Sequence, residues 1–139
     1  MVRELSQFRY RLRLFLRFSE QAARAAGVTP LQQQLMLGIA GFTGRGWATI
    51  SELAEFLQER HNAVVALVNR ASRAKLVRKA AVAGDGRLVR VEVTAAGRKI
   101  LAKLSELHRK EIERFELGMR STGASKAKKR HEKSVQRQI

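Results

Sequence analysis

The chain has 139 residues, 45% of them hydrophobic, which suits one small domain with extensions and excludes a large enzyme core. Its 28 Lys and Arg against 12 Asp and Glu give +16 at pH 7, more than solubility requires, and point to an anionic partner, nucleic acid first and anionic membrane second. With no cysteine, disulfides, thiolate nucleophiles and thiol redox sensing are excluded within the chain.

The N-terminal stretch MVRELSQFRYRLRLFLRF lacks an apolar core of signal-peptide type. Arg9, Arg11, Arg13 and Arg17 interrupt every window long enough to enter a membrane, so a cytoplasmic protein with no membrane partner is expected. Residues 4–25 predict a helix, because Leu5, Phe8, Leu12, Phe15 and Ala22 recur near helical spacing with no proline or glycine between them. The alternating arginines also permit a strand over 8–18, and the helix is the preferred reading. Leu14, Leu16 and Phe18 widen the apolar surface beyond what one small core uses, so part of it is expected to meet another subunit.

Gly27 ends that helix, and Thr29-Pro30-Leu31-Gln32 starts the next: a capping threonine, a proline in the first turn, and glutamine three residues after the cap. Gly41, Gly44 and Gly46 break it, leaving Trp47-Ala48 room for a very short strand or turn. Thr49-Ile50-Ser51-Glu52 is a second capping box opening a short helix. Helical periodicity resumes at residues 62–74 after the turn Gln58-Glu59-Arg60-His61, which makes a helix-turn-helix unit. From Leu76 the period changes to extended. Gly84-Asp85-Gly86 reads as a hairpin turn, and Val89, Val91 and Val93 are expected to face the domain while Leu88, Arg90 and Glu92 point away. A long helix follows Thr94. Residues 121–138 have little to bury and read as mostly disordered or ordered only on binding.

The charge is concentrated, with +6 between residues 61 and 90, +4 over 1–27 and +5 over 124–139, against −1 over 28–60. On a helical wheel of about 100° per residue, Val64, Leu67, Val68 and Ala71 cluster on one side of residues 61–74. Asn62, Ala66, Asn69 and Arg73 fall opposite, flanked by Val65 and Arg70, and the stretch holds no acid. A slim face of amides and guanidinium groups fits a major groove, where base edges offer donors and acceptors. Asn62 suits adenine, Arg70 and Arg73 suit guanine or phosphate, and Val65 suits a thymine methyl. His61 and Asn62 stand at the helix start, where unpaired N–H groups favour a phosphate. Arg87, beside the glycine turn, is positioned to reach phosphate or a narrow minor groove, Asp85 to organise that turn, and Arg90 is a further DNA-binding candidate on the hairpin. For each residue the plainer alternative is an ordinary solvated side chain.

These segments together resemble the MarR family of winged helix-turn-helix transcriptional regulators, over about Phe8 to Phe115. TPLQQQLMLGIA, TISELAEFLQERHNAVVALVNR, KLVRK and DGRLVRVEVTAAGRKIL carry the likeness. The resemblance implies a mainly α fold with a two- or three-stranded β wing and terminal dimerisation helices. Residues 1–27 become a dimerisation helix, 28–96 the DNA-binding domain, 97–120 a second dimerisation helix and 121–139 a basic flexible tail. It implies a homodimer on double-stranded DNA, recognition helix (61–74) in the major groove and wing (79–91) in the minor groove, acting as a repressor. It also implies a small aromatic anion as effector, in a cleft for which Tyr10, Arg11, Phe15, Phe42 and Trp47 are the candidates. The chain departs from the family pattern at Ala63, Ala66, Ala71, Lys75 and Val82, which leaves an unusual target or reduced specificity open.

Catalysis, a metal site and a cofactor are not expected, since no Cys/His pair, phosphate loop or paired carboxylate is visible and His61, His108 and His131 are scattered. Two alternatives share the charge: a nucleoid or architectural DNA-binding protein of low specificity, and an RNA-binding protein.

Overall fold

Thr29 and Thr49 start the two helices that the sequence marks. Each sits in extended backbone with its Oγ1 accepting from the amide three residues on (Gln32 3.1 Å, Glu52 3.3 Å), while the Gln32 and Glu52 side chains accept from the threonine N–H at 3.0 and 3.1 Å. Two donors that a helix start leaves orphaned are satisfied in each case. The structure, a computed structural model, describes residues 1–42, 44–82 and 84–136, with the side chains at 82, 85–87 and 122–136 outside that description. In chain order the elements are α1 (Val2–Ala25), α2 (Pro30–Ala40), β1 (Trp47–Thr49), α3 (Ile50–Leu57), α4 (His61–Arg73), β2 (Val77–Val82), β3 (Asp85–Val93) and α5 (Ala95–Gln136). Residues 8–18 are therefore helical, not a strand. The fold is mainly α with a small antiparallel sheet of order β1-β3-β2.

The chain divides into two compact units, Ala22–Ser105 and the pair Met1–Gln21 with Glu106–Ile139. In the first, Leu35, Met36 and Ile39 of α2, Leu53 of α3, Val64 and Val68 of α4 and Val91 of β3 are sealed from solvent. Ala23, Leu101 and Leu104 join this core, so the unit reaches beyond the expected limits of 28 and 96 into both long helices. The periodic apolar residues on either side of those limits were readable, but which core they enter was not.

Thr94 fastens the start of α5. Its hydroxyl lies 2.7 Å from the Lys75 carbonyl and 3.1 Å from that of Leu76, and accepts from the Gly97 amide at 3.0 Å. The α5 backbone is helical from Ala95 to Gln136 and so runs through the segment expected to be a basic tail. After Gly123 the segment holds alanine, lysine, arginine, glutamate and glutamine, all good helix formers, and no proline. Low apolar content argued against a core; it did not argue against a helix.

In the second unit Phe8 and Phe15 of α1 meet Phe115 of α5, with ring centroids 6.3 and 6.0 Å apart. His108, almost fully buried, packs edge-on against Phe15 and Phe18 with Nε2 2.9 Å from Ser19 Oγ.

An arginine links the loop after α2 to the sheet. The Arg45 guanidinium lies over the rings of Phe42 and Trp47 (4.6 and 4.3 Å) and pairs with Glu52. That pairing holds the Glu52 carboxyl below the usual carboxylate range, against the opposing effect of burial. Because the folded-state value is depressed, the stabilisation is present above the unfolded-state value and is lost as pH falls through the folded one. Glu52→Gln is therefore expected to narrow the gap in urea midpoint between neutral and acid pH. A wild-type and variant gap that is identical would show that Glu52 contributes nothing to acid sensitivity.

Candidate nucleic-acid interface

The α3–α4 corner is built by a backbone reversal at Gln58, which takes left-handed φ 52° while the Glu59 amide donates back to the Ala54 carbonyl at 3.0 Å. α4 then begins without a side-chain cap from Arg60; Asn62 Oδ1 instead accepts from the Ala63 amide at 3.0 Å. Val64, Leu67, Val68 and Ala71 are buried on the inner side. His61, Asn62, Val65, Ala66, Arg70 and Arg73 are exposed, and Asn69 is half-buried. Arg70 and Arg73 occupy the last turn, where cations complement the helix dipole. Lys75 follows at φ 62°, the left-handed conformation for which glycine is better suited.

Asn69 is not free. Its Oδ1 accepts from Lys79 Nζ of β2 at 2.7 Å, a bond between helix and sheet that a helical wheel of α4 does not reveal. Lys79 itself is exposed on the strand. A groove of about 280 Å³ runs beside this pair, bordered by Ser51 at the start of α3, His61, Val65 and Asn69 of α4, Lys79, and Leu88 of β3. Ser51, Lys79 and Leu88 are among the lining residues that the sequence did not single out. Alternation along residues 77–82 was the available signal, since it places Lys79 on the same sheet face as buried Val77, the face that meets α4.

β2 and β3 pair from Val77↔Val93 to Ala81↔Val89, after which the register shifts to Val82↔Asp85. Asp85 and Gly86 accordingly belong to β3 and not to the turn expected at 84–86; the left-handed residue is Gly84, φ 83°. Val91 and Val93 face the core and Leu88 is exposed. The side chains of Asp85 and Arg87, expected to organise the wing and grip DNA, lie outside the described residues. Arg90 points away from the core, as alternation requires, but is held on that outer face. Its guanidinium stacks 4.1 Å over the Trp47 ring, its Nε is buried, and the β1 pairing that sets Thr49 opposite Arg90 brings them together. Such stacking on tryptophan holds a cation to the sheet surface.

The five expected cleft residues divide between the units. In the helical pair Arg11 and Phe15 line a hollow of about 440 Å³ with Phe18, Arg114 and Phe115, while Tyr10 is exposed. In the winged unit Phe42 and Trp47 hold Arg45. Among the described residues no cluster of three His, Cys, Asp or Glu is arranged to hold a metal, and no helix is long and apolar enough to cross a membrane.

No protein-family profile matches the sequence, and neither does any curated protein. Solved structures do. The chain is 31% identical to a Mycobacterium tuberculosis transcriptional regulator, MosR, solved in complex with DNA, covering 73% of this chain and 71% of that one with a TM-score of 0.58. AbsC, a MarR family transcriptional regulator from Streptomyces coelicolor, shares 19% identity over 91% of this chain and 88% of that one, TM-score 0.69. A mutant of Escherichia coli MarR complexed with operator DNA shares 16% over 91% and 89%, TM-score 0.69.

Proposed function

This chain belongs to the MarR family of winged helix-turn-helix transcriptional regulators, and from that premise we propose that two copies bind duplex DNA and repress transcription by covering a promoter. Each copy lays the outer side of α4 in the major groove of one half-site and its β2–β3 hairpin against the neighbouring minor groove. The observation that carries this reading is the exposed, acid-free side of α4, with Asn62, Arg70 and Arg73, in the same compact unit as the hairpin. The M. tuberculosis relative was solved with DNA, which supports the same partner here.

Dimerisation falls to the helical pair. Leu5, Leu14 and Leu16 of α1 and Leu107, Ile112 and Leu117 of α5 are exposed, an apolar content that a second copy would cover. A small aromatic anion is the effector class suited to the hollow where Arg11 and Arg17 accompany three phenylalanines, with Arg114 there paired to Glu111. The basic segment beyond residue 120 adds affinity for neighbouring phosphates without reading bases.

Titrating a labelled duplex across a salt series tests the reading. A dimer neutralising about 6 to 10 phosphates gives a steep loss of affinity, with a log–log slope near −0.9 per contact. Duplex RNA, whose deep and narrow major groove excludes α4, is expected to compete poorly. Equal competition by RNA would instead favour the RNA-binding alternative.

A further inference from the structure

We propose that Lys79, a strand residue, sets the base preference of the recognition helix by making the Asn69–Lys79 pair a donor-rich element, its one acceptor crowded by a cation, that selects guanine over adenine at one step of each half-site. The inference rests on the reading of α4 as the major-groove element and adds to it a specificity determinant outside that helix.

A lysine ammonium has three N–H donors and no acceptor, so the atom of Asn69 lying 2.7 Å from Nζ is necessarily the carboxamide oxygen. The bond fixes the orientation of an amide that would otherwise be free to turn over. Asparagine reads adenine by using both ends of its carboxamide, Oδ1 accepting from the N6 amino group and Nδ2 donating to N7. In this chain Oδ1 is engaged by a cation. Its second lone pair remains, but an amino group approaching it must come alongside the ammonium, donor against donor.

Guanine offers the opposite pattern. Its O6 and N7 are both acceptors, and the pair supplies Asn69 Nδ2 together with the remaining ammonium N–H groups. Those groups have an open path, because Asn69 and Lys79 both border the groove between α4 and the wing. Among the described residues, Asn69 is the hydrogen-bond partner of Lys79. Lys79 is exposed and stands apart from the core, so its replacement alters the interface without emptying the interior.

The experiment is selection of bound duplexes from a random pool at one fixed salt concentration, run in parallel on the full-length wild type, Lys79→Met, Lys79→Arg and Asn69→Ala. The wild type is expected to select guanine at one step per half-site, by on the order of tenfold over adenine, the scale of one well-formed bidentate contact. Lys79→Met releases Oδ1 and moves that step to adenine; Lys79→Arg keeps guanine; Asn69→Ala loses the preference there and nowhere else. A Lys79→Met consensus identical to the wild type, with affinity lowered equally for all sequences, would make Lys79 a phosphate contact and overturn the inference while leaving the regulator reading intact. Binding by the wild type with no symmetric consensus would overturn both.

Discussion

Replacing Arg70 and Arg73 together by alanine is expected to lower duplex affinity by about two orders of magnitude or more while leaving the fold intact. Both guanidinium groups are exposed on the last turn of α4, and neither takes part in the core. In a twofold dimer the double substitution removes four guanidinium groups. A bidentate base contact contributes about 1–3 kcal/mol, and each lost phosphate contact reduces the salt slope by about 1. The two kinds of contact are separable in the same titration: a shallower slope identifies phosphate partners, and relaxed preference at a base step identifies readout. Removing two cations from an exposed helix C-terminus costs about 0.3 kcal/mol each at the lower, solvent-screened end of the range, so thermal unfolding moves by only a few degrees. Fluorescence anisotropy and calorimetry on the same preparation measure both. Unchanged affinity would remove α4 from the interface.

The largest stability effect is expected at Gly97. An added Cβ there would overlap the Leu76 carbonyl oxygen and lie 2.8 Å from Val93 Cγ1 and 3.1 Å from Met36 Sδ. The obstruction is backbone, which cannot turn aside as a long side chain can. Relief requires the first turn of α5 to move away from the β2 start, and that motion breaks the bonds by which Thr94 ties Lys75, Leu76 and Gly97 together. Overpacking costs about 1–3 kcal/mol and occasionally more, and the gain in helix propensity from Gly→Ala offsets about 1 kcal/mol at most. Gly97→Ala is expected at the upper end, a net loss of about 2–3 kcal/mol, which for a unit of this size lowers the unfolding midpoint by roughly 10 °C or more. Gly27→Ala is a useful comparison, since its space is open and only its left-handed φ of 83° is strained. If Gly97→Ala unfolds within two or three degrees of wild type, the corner is far more yielding than its geometry implies.

Much of the winged unit was legible because its signals are local. Thr29 with Gln32 and Thr49 with Glu52 mark helix starts through atoms three residues apart, and the structure has both capping boxes complete. The inner side of α4 follows from helical periodicity in the same way, and Val64, Leu67, Val68 and Ala71 are all buried. What escaped notice depends on elements meeting. Asn69 reads as a free outward amide on its own helix, and only the path of β2 past α4 delivers Lys79 to it. Arg90 reads as an outward cation on an alternating strand; its stacking follows from β1 running alongside β3 with Trp47 on it. The helical backbone of α5 beyond residue 120 was not legible from apolar periodicity, because that segment has little to bury and its residues carry helix propensity alone. Similarly, alternation fixed the faces of the hairpin while the position of its reversal hinged on which of two glycines takes positive φ, and Gly84 does.

The central claim, that the outer side of α4 occupies the major groove, is tested most directly by dimethyl sulfate protection on the best-bound duplex, because the reagent methylates guanine N7 in the major groove and adenine N3 in the minor groove. The account predicts two patches of N7 protection about one helical turn apart, flanked by protected adenine N3, with the central patches lost in Arg70→Ala/Arg73→Ala. A saturated complex in which every guanine N7 stays as reactive as in free DNA would contradict it.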